Sequence, residues 1–379
     1  MRASVMHPIL SNKTQSKSDI PLTPQYTENS VVFKGDGEPQ SPEQLLKNLS
    51  TAYKAGLLQP DSYARGGSVA ALEERFAEML GKEAAVFFPT GTLANHMAIR
   101  SLCEGKRRAL VQEQSHLYQD TGDCATKLSG INLIPLARNH AHFTLEEVRK
   151  AATESQAGRV DNPIGAMMIE SPVRRQMGQV MSLEEMRAIT EYCREQEIGT
   201  HLDGARLYMM TAATGIDPKQ YSQIFDTVYV SLYKYFGAPF GGILAGDADR
   251  LRDMYHERRM FGGALSSAYM AAALALQGSI GFQARFNESI AQAHDLFSRL
   301  NQLQGIEITE LTNGSNIFPI ALESEAIEQR LVSGLWDRDV FLSPDEGAVR
   351  VTRLTVNTTL LRQSNQMLVD CFRDALAGA

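Results

Sequence analysis

Cysteine is scarce in this chain. Four occur in 379 residues, Cys103, Cys124, Cys193 and Cys371, scattered and without metal-ligand spacing. This argues against a disulfide framework or a metal site, and points to reduced thiols in a cytoplasmic protein. Charge of one sign is nowhere concentrated: the formal net charge is −7 and no block of like charges occurs. A nucleic-acid partner or an anionic membrane surface therefore has no compositional support. A long, strongly apolar run is also missing. Met260–Ala284 carries no charged residue, but Ala, Ser and Gly dominate it and Gln277 and Gln283 interrupt it. A membrane-spanning helix is richer in Leu, Ile, Val and Phe. The stretch reads instead as a long helix buried at a domain or subunit boundary, where small residues permit close approach. Met1–Leu10 lacks an apolar region of secretory-signal length. Residues 1–30, rich in Ser, Thr, Lys, Asn and Pro from 11 onward, read as a mobile N-terminal tail.

What is present is alternation. After helices at 42–54 and 69–81, the second closed by Gly81, strands are expected at 84–88, 109–112, 132–135, 165–170, 199–202, 227–232 and 241–245. Helices are expected between them at 92–103, near 118–128, from about 144, and at 182–196. This pattern predicts an α/β domain on a mainly parallel central sheet with helices on both faces, spanning 31–277. From residue 278 the pattern changes to a smaller C-terminal α+β domain: a helix at 282–303, short strands near 306–309, 314–320 and 348–355, and helices near 323–335 and 359–377.

The chemistry gathers where strands end, the usual place for ligands in such sheets. Lys234 closes the apolar run Thr227–Leu232 and enters a Gly/Pro turn. A lysine there is costly unless its amine has work to do. Asp203 ends another strand within His201-Leu-Asp-Gly-Ala-Arg206. A lysine that forms a Schiff base, and a carboxylate that keeps a pyridine nitrogen protonated, are what pyridoxal 5'-phosphate (PLP) chemistry requires. Thr90, Gly91 and Thr92 form a strand-to-helix turn suited to a phosphate. His116, at a further strand end, is placed to stack on a cofactor ring or to shuttle protons. Ala205 offers a small surface beneath that ring, and Arg206 a partner for Asp203 or for the cofactor's phenolate oxygen. A substrate carboxylate calls for an arginine fork. In Val349–Val356, Arg350 and Arg353 have opposite parity, so at most one faces the site.

These residues resemble the β-eliminating lyase branch of fold-type-I PLP enzymes, and most closely the L-threonine aldolases. The resemblance runs from about Val32 to the final helix. It rests on Leu72–Asn95, Glu113–Tyr118, His201–Leu207 and the Lys234 turn with Gly237-Ala-Pro239. It implies a PLP-dependent lyase that cleaves the Cα–Cβ bond of a β-hydroxy-α-amino acid to glycine and an aldehyde. The alternatives are β-elimination or transamination of another amino acid. It also implies an amino acid as substrate, a homodimer or homotetramer, and roles for Lys234 (Schiff base), Asp203 (pyridine partner), His116 (stacking) and Thr90–Thr92 (phosphate). Departures cluster near the substrate. Gly35 stands where the aldolases carry a substrate-holding serine, Tyr233 replaces a serine before the lysine, and Gly262–Ser267 lacks the family's arginine.

Overall fold

The computed structural model describes residues 26–342, 344 and 349–378. The strands, in chain order, are β1 (Val31–Val32), β2 (Ala84–Phe88), β3 (Arg108–Gln112), β4 (Asn132–Leu136), β5 (Ile164–Glu170), β6 (Gly199–Asp203), β7 (Thr227–Ser231), β8 (Gly242–Gly246), β9 (Ile306–Ile308), β10 (Ile317–Leu322), β11 (Val340–Phe341) and β12 (Arg353–Thr355). Seven of them form the central sheet in the order β2-β8-β7-β6-β5-β3-β4. β8 runs antiparallel to both its neighbours and the remaining pairs are parallel.

At its centre the sheet is buried on both faces, so β5, β7 and β8 are buried along their whole length rather than alternating. Successive residues of β5 serve different cores: Met167 and Ile169 pack into the main cluster, Ala166 and Met168 into the one on the opposite face. Helix Gly91–Cys103 lies over β5 to β8 on that second face. It begins where Thr90 Oγ1 accepts the amide of Leu93 at 3.2 Å, an N-cap that holds the turn after β2.

Several expected elements are subdivided, each at a residue with positive φ. The stretch 260–284 is not one helix. Gly262 (φ +78) and Gly281 (φ +64) interrupt it, leaving a helix at Tyr269–Ser279 and another at Phe282–Leu300. Asp61 Oδ1 accepts the amides of Ala268 and Tyr269, both at 2.9 Å, and so starts the first of these. The helix expected near 118–128 is likewise split into His116–Gln119 and Cys124–Ser129, around Gly122 and Asp123 with φ +63 and +60.

In the C-terminal part, β9, β10 and β12 form an antiparallel sheet covered by helices Phe282–Leu300, Glu325–Trp336 and Asn365–Ala377. Of the strand expected near 348–355 only Arg353–Thr355 forms, and Ala348 lies outside the described residues. The final helix is preceded by a separate turn at Thr358–Arg362.

Of the tail expected over 1–30, residues 1–25 lie outside the described part. Tyr26–Ser30 are docked: the Tyr26 ring meets Phe341 edge-on at 5.0 Å, and Ser30 Oγ donates to Asp339 Oδ1 at 2.5 Å. β1 then runs parallel to β11, which ties the N-terminal segment to the C-terminal part. No helix among the described residues is long and apolar enough to cross a membrane.

Candidate active site

A cavity of about 420 Å³ opens at the carboxyl ends of the central strands. Glu170 and Asp203 are the last residues of β5 and β6 and stand opposite each other in register. Tyr229 of β7 stands opposite Asp203. Lys234 follows three residues after β7 ends. Thr90, Gly91, Thr92, His116, Asp203, Ala205, Arg206 and Lys234 all line this one cavity.

Asp203 is 1% exposed, and its Oδ1 accepts the amide of Ala205 at 3.1 Å. Its side chain therefore has few conformations open to it. Gly91 is required by packing: a Cβ there would lie 2.4 Å from Tyr229 Oη. The turn at the start of helix Gly91–Cys103 is thereby pressed directly onto the buried phenol, leaving its backbone N–H groups at the cavity wall.

The half-buried Lys234 amine is pulled down from 10.5 to about 8. Burial is the largest cause, and Arg206 adds repulsion against the attraction of Asp203, Asp36 and Glu170. The Glu170 carboxyl is pushed up to about 7 by burial and by neighbouring Asp203. Arg206 is buried with Asp36, its Nε donating to Asp36 Oδ2 at 2.8 Å. Burial would raise the Asp36 carboxyl, but Arg206, with help from Lys234 and Arg174, holds it below its ordinary value.

Four contributors escape a reading of local sequence: Asp36, Asn95, Glu170 and Arg174. Glu170 fastens two loops. Its Oε2 accepts the amide of His116 at 2.6 Å and its Oε1 the amide of Arg174 at 3.2 Å. Arg174 is exposed, lines the cavity, and contributes to the field at both Asp36 and Asp120. Beside it Arg175 grips Asp120 through two bonds of 2.5 and 3.2 Å. Of these contributors, Glu170 carried a visible signal, since an acid ending the apolar run Ala166–Ile169 repeats the logic of Asp203.

Three expected substrate contacts are placed differently. Gly35 has φ +79 and does not line the cavity; its carbonyl accepts Asn357 Nδ2 at 3.2 Å, and the neighbouring Asp36 is what reaches Arg206. Arg350 is exposed and pairs with Glu328 at 2.7 Å, beside a different cavity in the C-terminal part. Arg353 Nη1 lies 3.6 Å from Met177 Sδ, at the end of the turn that carries Arg174 and Arg175.

The seven-stranded sheet, with its lysine turn and its acid at adjacent strand ends, is the architecture of fold-type-I PLP-dependent enzymes. The beta-eliminating lyase model matches residues 47–321, and the chain belongs to that family. A low-specificity L-threonine aldolase of Candida albicans is 34% identical over 209 residues, 54% of this chain and 55% of that protein, so the match spans about half of its length. A chain from Listeria monocytogenes, described as a putative L-allo-threonine aldolase, superposes with a TM-score of 0.76 at 27% identity, covering 92% of this chain and 97% of its own. Similarity also crosses reaction types: the alanine racemase TOXG of Cochliobolus carbonum is 27% identical over 266 residues, 68% of this chain and 66% of that protein.

Proposed function

We propose that the protein is a PLP-dependent lyase of threonine-aldolase type, cleaving a β-hydroxy-α-amino acid to glycine and an aldehyde. The observation that carries this reading is the convergence of Lys234, Asp203 and the Thr90–Thr92 turn on one cavity. The residues present fit PLP. The turn that meets Tyr229 has no room for a Cβ and offers helix N-terminal amides to a phosphate. Buried Asp203 complements a protonated pyridine nitrogen.

When bound, PLP supplies a carbonyl that captures the substrate amine and a ring that takes up electron density from the bond broken at Cα. Lys234, drawn to about 8, carries a substantial neutral fraction near neutral pH and so serves as nucleophile and proton carrier. His116, fixed through its amide by Glu170, offers an imidazole for stacking and for receiving the β-hydroxyl proton. Arg174, which lines the cavity, supplies a guanidinium group for the substrate carboxylate. Loss of the β-hydroxyl proton and rupture of Cα–Cβ release the aldehyde, and proton return to Cα completes glycine.

Purified protein should show a visible PLP band that Lys234→Ala abolishes, and should convert threonine or phenylserine to glycine plus aldehyde. Pyruvate and ammonia from another amino acid would replace aldol cleavage by β-elimination, amino transfer to a keto acid would replace it by transamination, and inversion at Cα without cleavage would favour the racemase-like course. We further propose a cytoplasmic homodimer or homotetramer. The exposed apolar residues Leu46, Tyr53, Met270 and Ile280 support assembly, and the free thiols support the compartment. A fully active monomer in analytical ultracentrifugation would refute the oligomer.

A further inference from the structure

Beside Asp203 a buried line of polar side chains starts at Asn95, which also lines the cavity, and runs from there into the interior. Asn95, of helix Gly91–Cys103, donates from Nδ2 to Asp203 Oδ2 at 2.6 Å. Its Oδ1 lies 2.9 Å from His201 Nε2, and His201 Nδ1 lies 2.8 Å from Thr227 Oγ1. All four residues are at most 1% exposed. The strands explain the juxtaposition. His201 and Asp203 lie two apart on β6 and share a face, and Thr227 of β7 is His201's register partner.

The polarity of the line follows from chemistry. A carboxylate only accepts, so the amide must turn its NH₂ toward Asp203 and its oxygen toward His201. That oxygen requires a proton on Nε2. Burial holds His201 neutral, near 4, so Nδ1 carries no proton and accepts from the Thr227 hydroxyl. Donation thus runs one way: Thr227 to His201, His201 to Asn95, Asn95 to Asp203. The amide in the middle does not relay protons, so His201 acts as a fixed prop.

We propose that Asn95 and His201 are positioning residues for Asp203, forming a one-way donor chain that fixes its carboxylate and directs its remaining lone pairs at the cofactor's pyridine nitrogen. The inference rests on the PLP reading above. Glu170 stands beside Asp203 in register and, where ionised, opposes its charge. Arg206 and Lys234 offset that repulsion by attraction, and the donor chain adds to them, with the Ala205 amide, directed hydrogen bonds that fix the carboxylate's orientation.

The test loads the full-length protein with PLP carrying nitrogen-15 in its ring. The ring-nitrogen shift is read by NMR, and PLP affinity by absorbance titration of the cofactor-free protein. Wild-type protein should show a protonated nitrogen. Asn95→Ala should move the shift toward the unprotonated value and weaken PLP about tenfold, the size of one charge-assisted hydrogen bond. His201→Phe should act in the same direction, and His201→Gln, whose amide N–H can still meet Asn95 Oδ1, should restore most of the loss. If Asn95→Ala fails to fold, the two His201 variants decide. An unchanged nitrogen shift in Asn95→Ala, or His201→Gln no better than His201→Phe, overturns the proposal. Wild-type protein that takes up no PLP overturns the cofactor reading itself.

Discussion

Lys234→Met should stabilise the cofactor-free protein. The wild-type amine has moved from 10.5 to about 8 because burial and Arg206 outweigh the three nearby carboxylates. Keeping it charged in the folded state at neutral pH therefore costs about 3 kcal/mol relative to the unfolded chain. Methionine fills a similar volume without the charge. The sign follows from proton counting: between about pH 8 and 10.5 the unfolded state binds more protons than the folded one, so wild-type stability rises with pH across that window. The variant's advantage should be largest below pH 8 and shrink to near zero above pH 10.5. Urea unfolding of cofactor-free wild type and variant at a series of pH values measures it directly. A variant no more stable than wild type at pH 7, or an advantage independent of pH, would refute the reasoning. It would mean that the carboxylates around Lys234 hold the ammonium without cost.

Asp36→Asn should destabilise by about 3–5 kcal/mol, because it leaves the Arg206 charge buried without its partner. As the folded Asp36 carboxyl lies below its unfolded value of 3.8, the pair's contribution is complete above that pH and is lost as pH falls through the folded value, which acid titration of wild type against variant detects. Gly91→Ala forces a Cβ to within 2.4 Å of Tyr229 Oη and should cost about 1–3 kcal/mol of stability, read as a lower urea midpoint, while weakening PLP; an unchanged midpoint would show that the phenol yields freely. Arg174→Leu should raise the KM for threonine about tenfold with little change in kcat, and an unchanged KM in steady-state assays would exclude it from the carboxylate contact.

The central strands and the pair Asp203 and Lys234 are legible in sequence because each is a local event, an apolar run ending in a charged residue and a turn. What joins them is not local. Asn95 is an ordinary helical residue until the fold brings it to Asp203, 108 positions away, and Asp36 meets Arg206 across 170. The uncharged stretch 260–284 reads as one long helix by its lack of charge, but Gly262 and Gly281, both with positive φ, break it. Strand parity does not decide between Arg350 and Arg353, because the strand begins only at Arg353; where Arg350 is spent is revealed by its partner Glu328, from another helix.

The docking of β1 also bears on the order of events during synthesis. Val31 and Phe33 donate to the carbonyls of Asp339 and Phe341, and Phe33 in turn accepts from Thr355. Four residues on, Gly37 lies so close to Lys234 that a Cβ would meet its carbonyl oxygen at 2.4 Å. The segment that carries Asp36 is thus seated at two places, on Arg206 and Lys234 within the large domain and, through β1, on residues near 340 and 355 that leave the ribosome much later. β1 therefore waits for Val340 and Phe341 before its hydrogen bonds can close, so the pairing that anchors the Asp36 segment is made later than the sheet on which Arg206 and Lys234 sit.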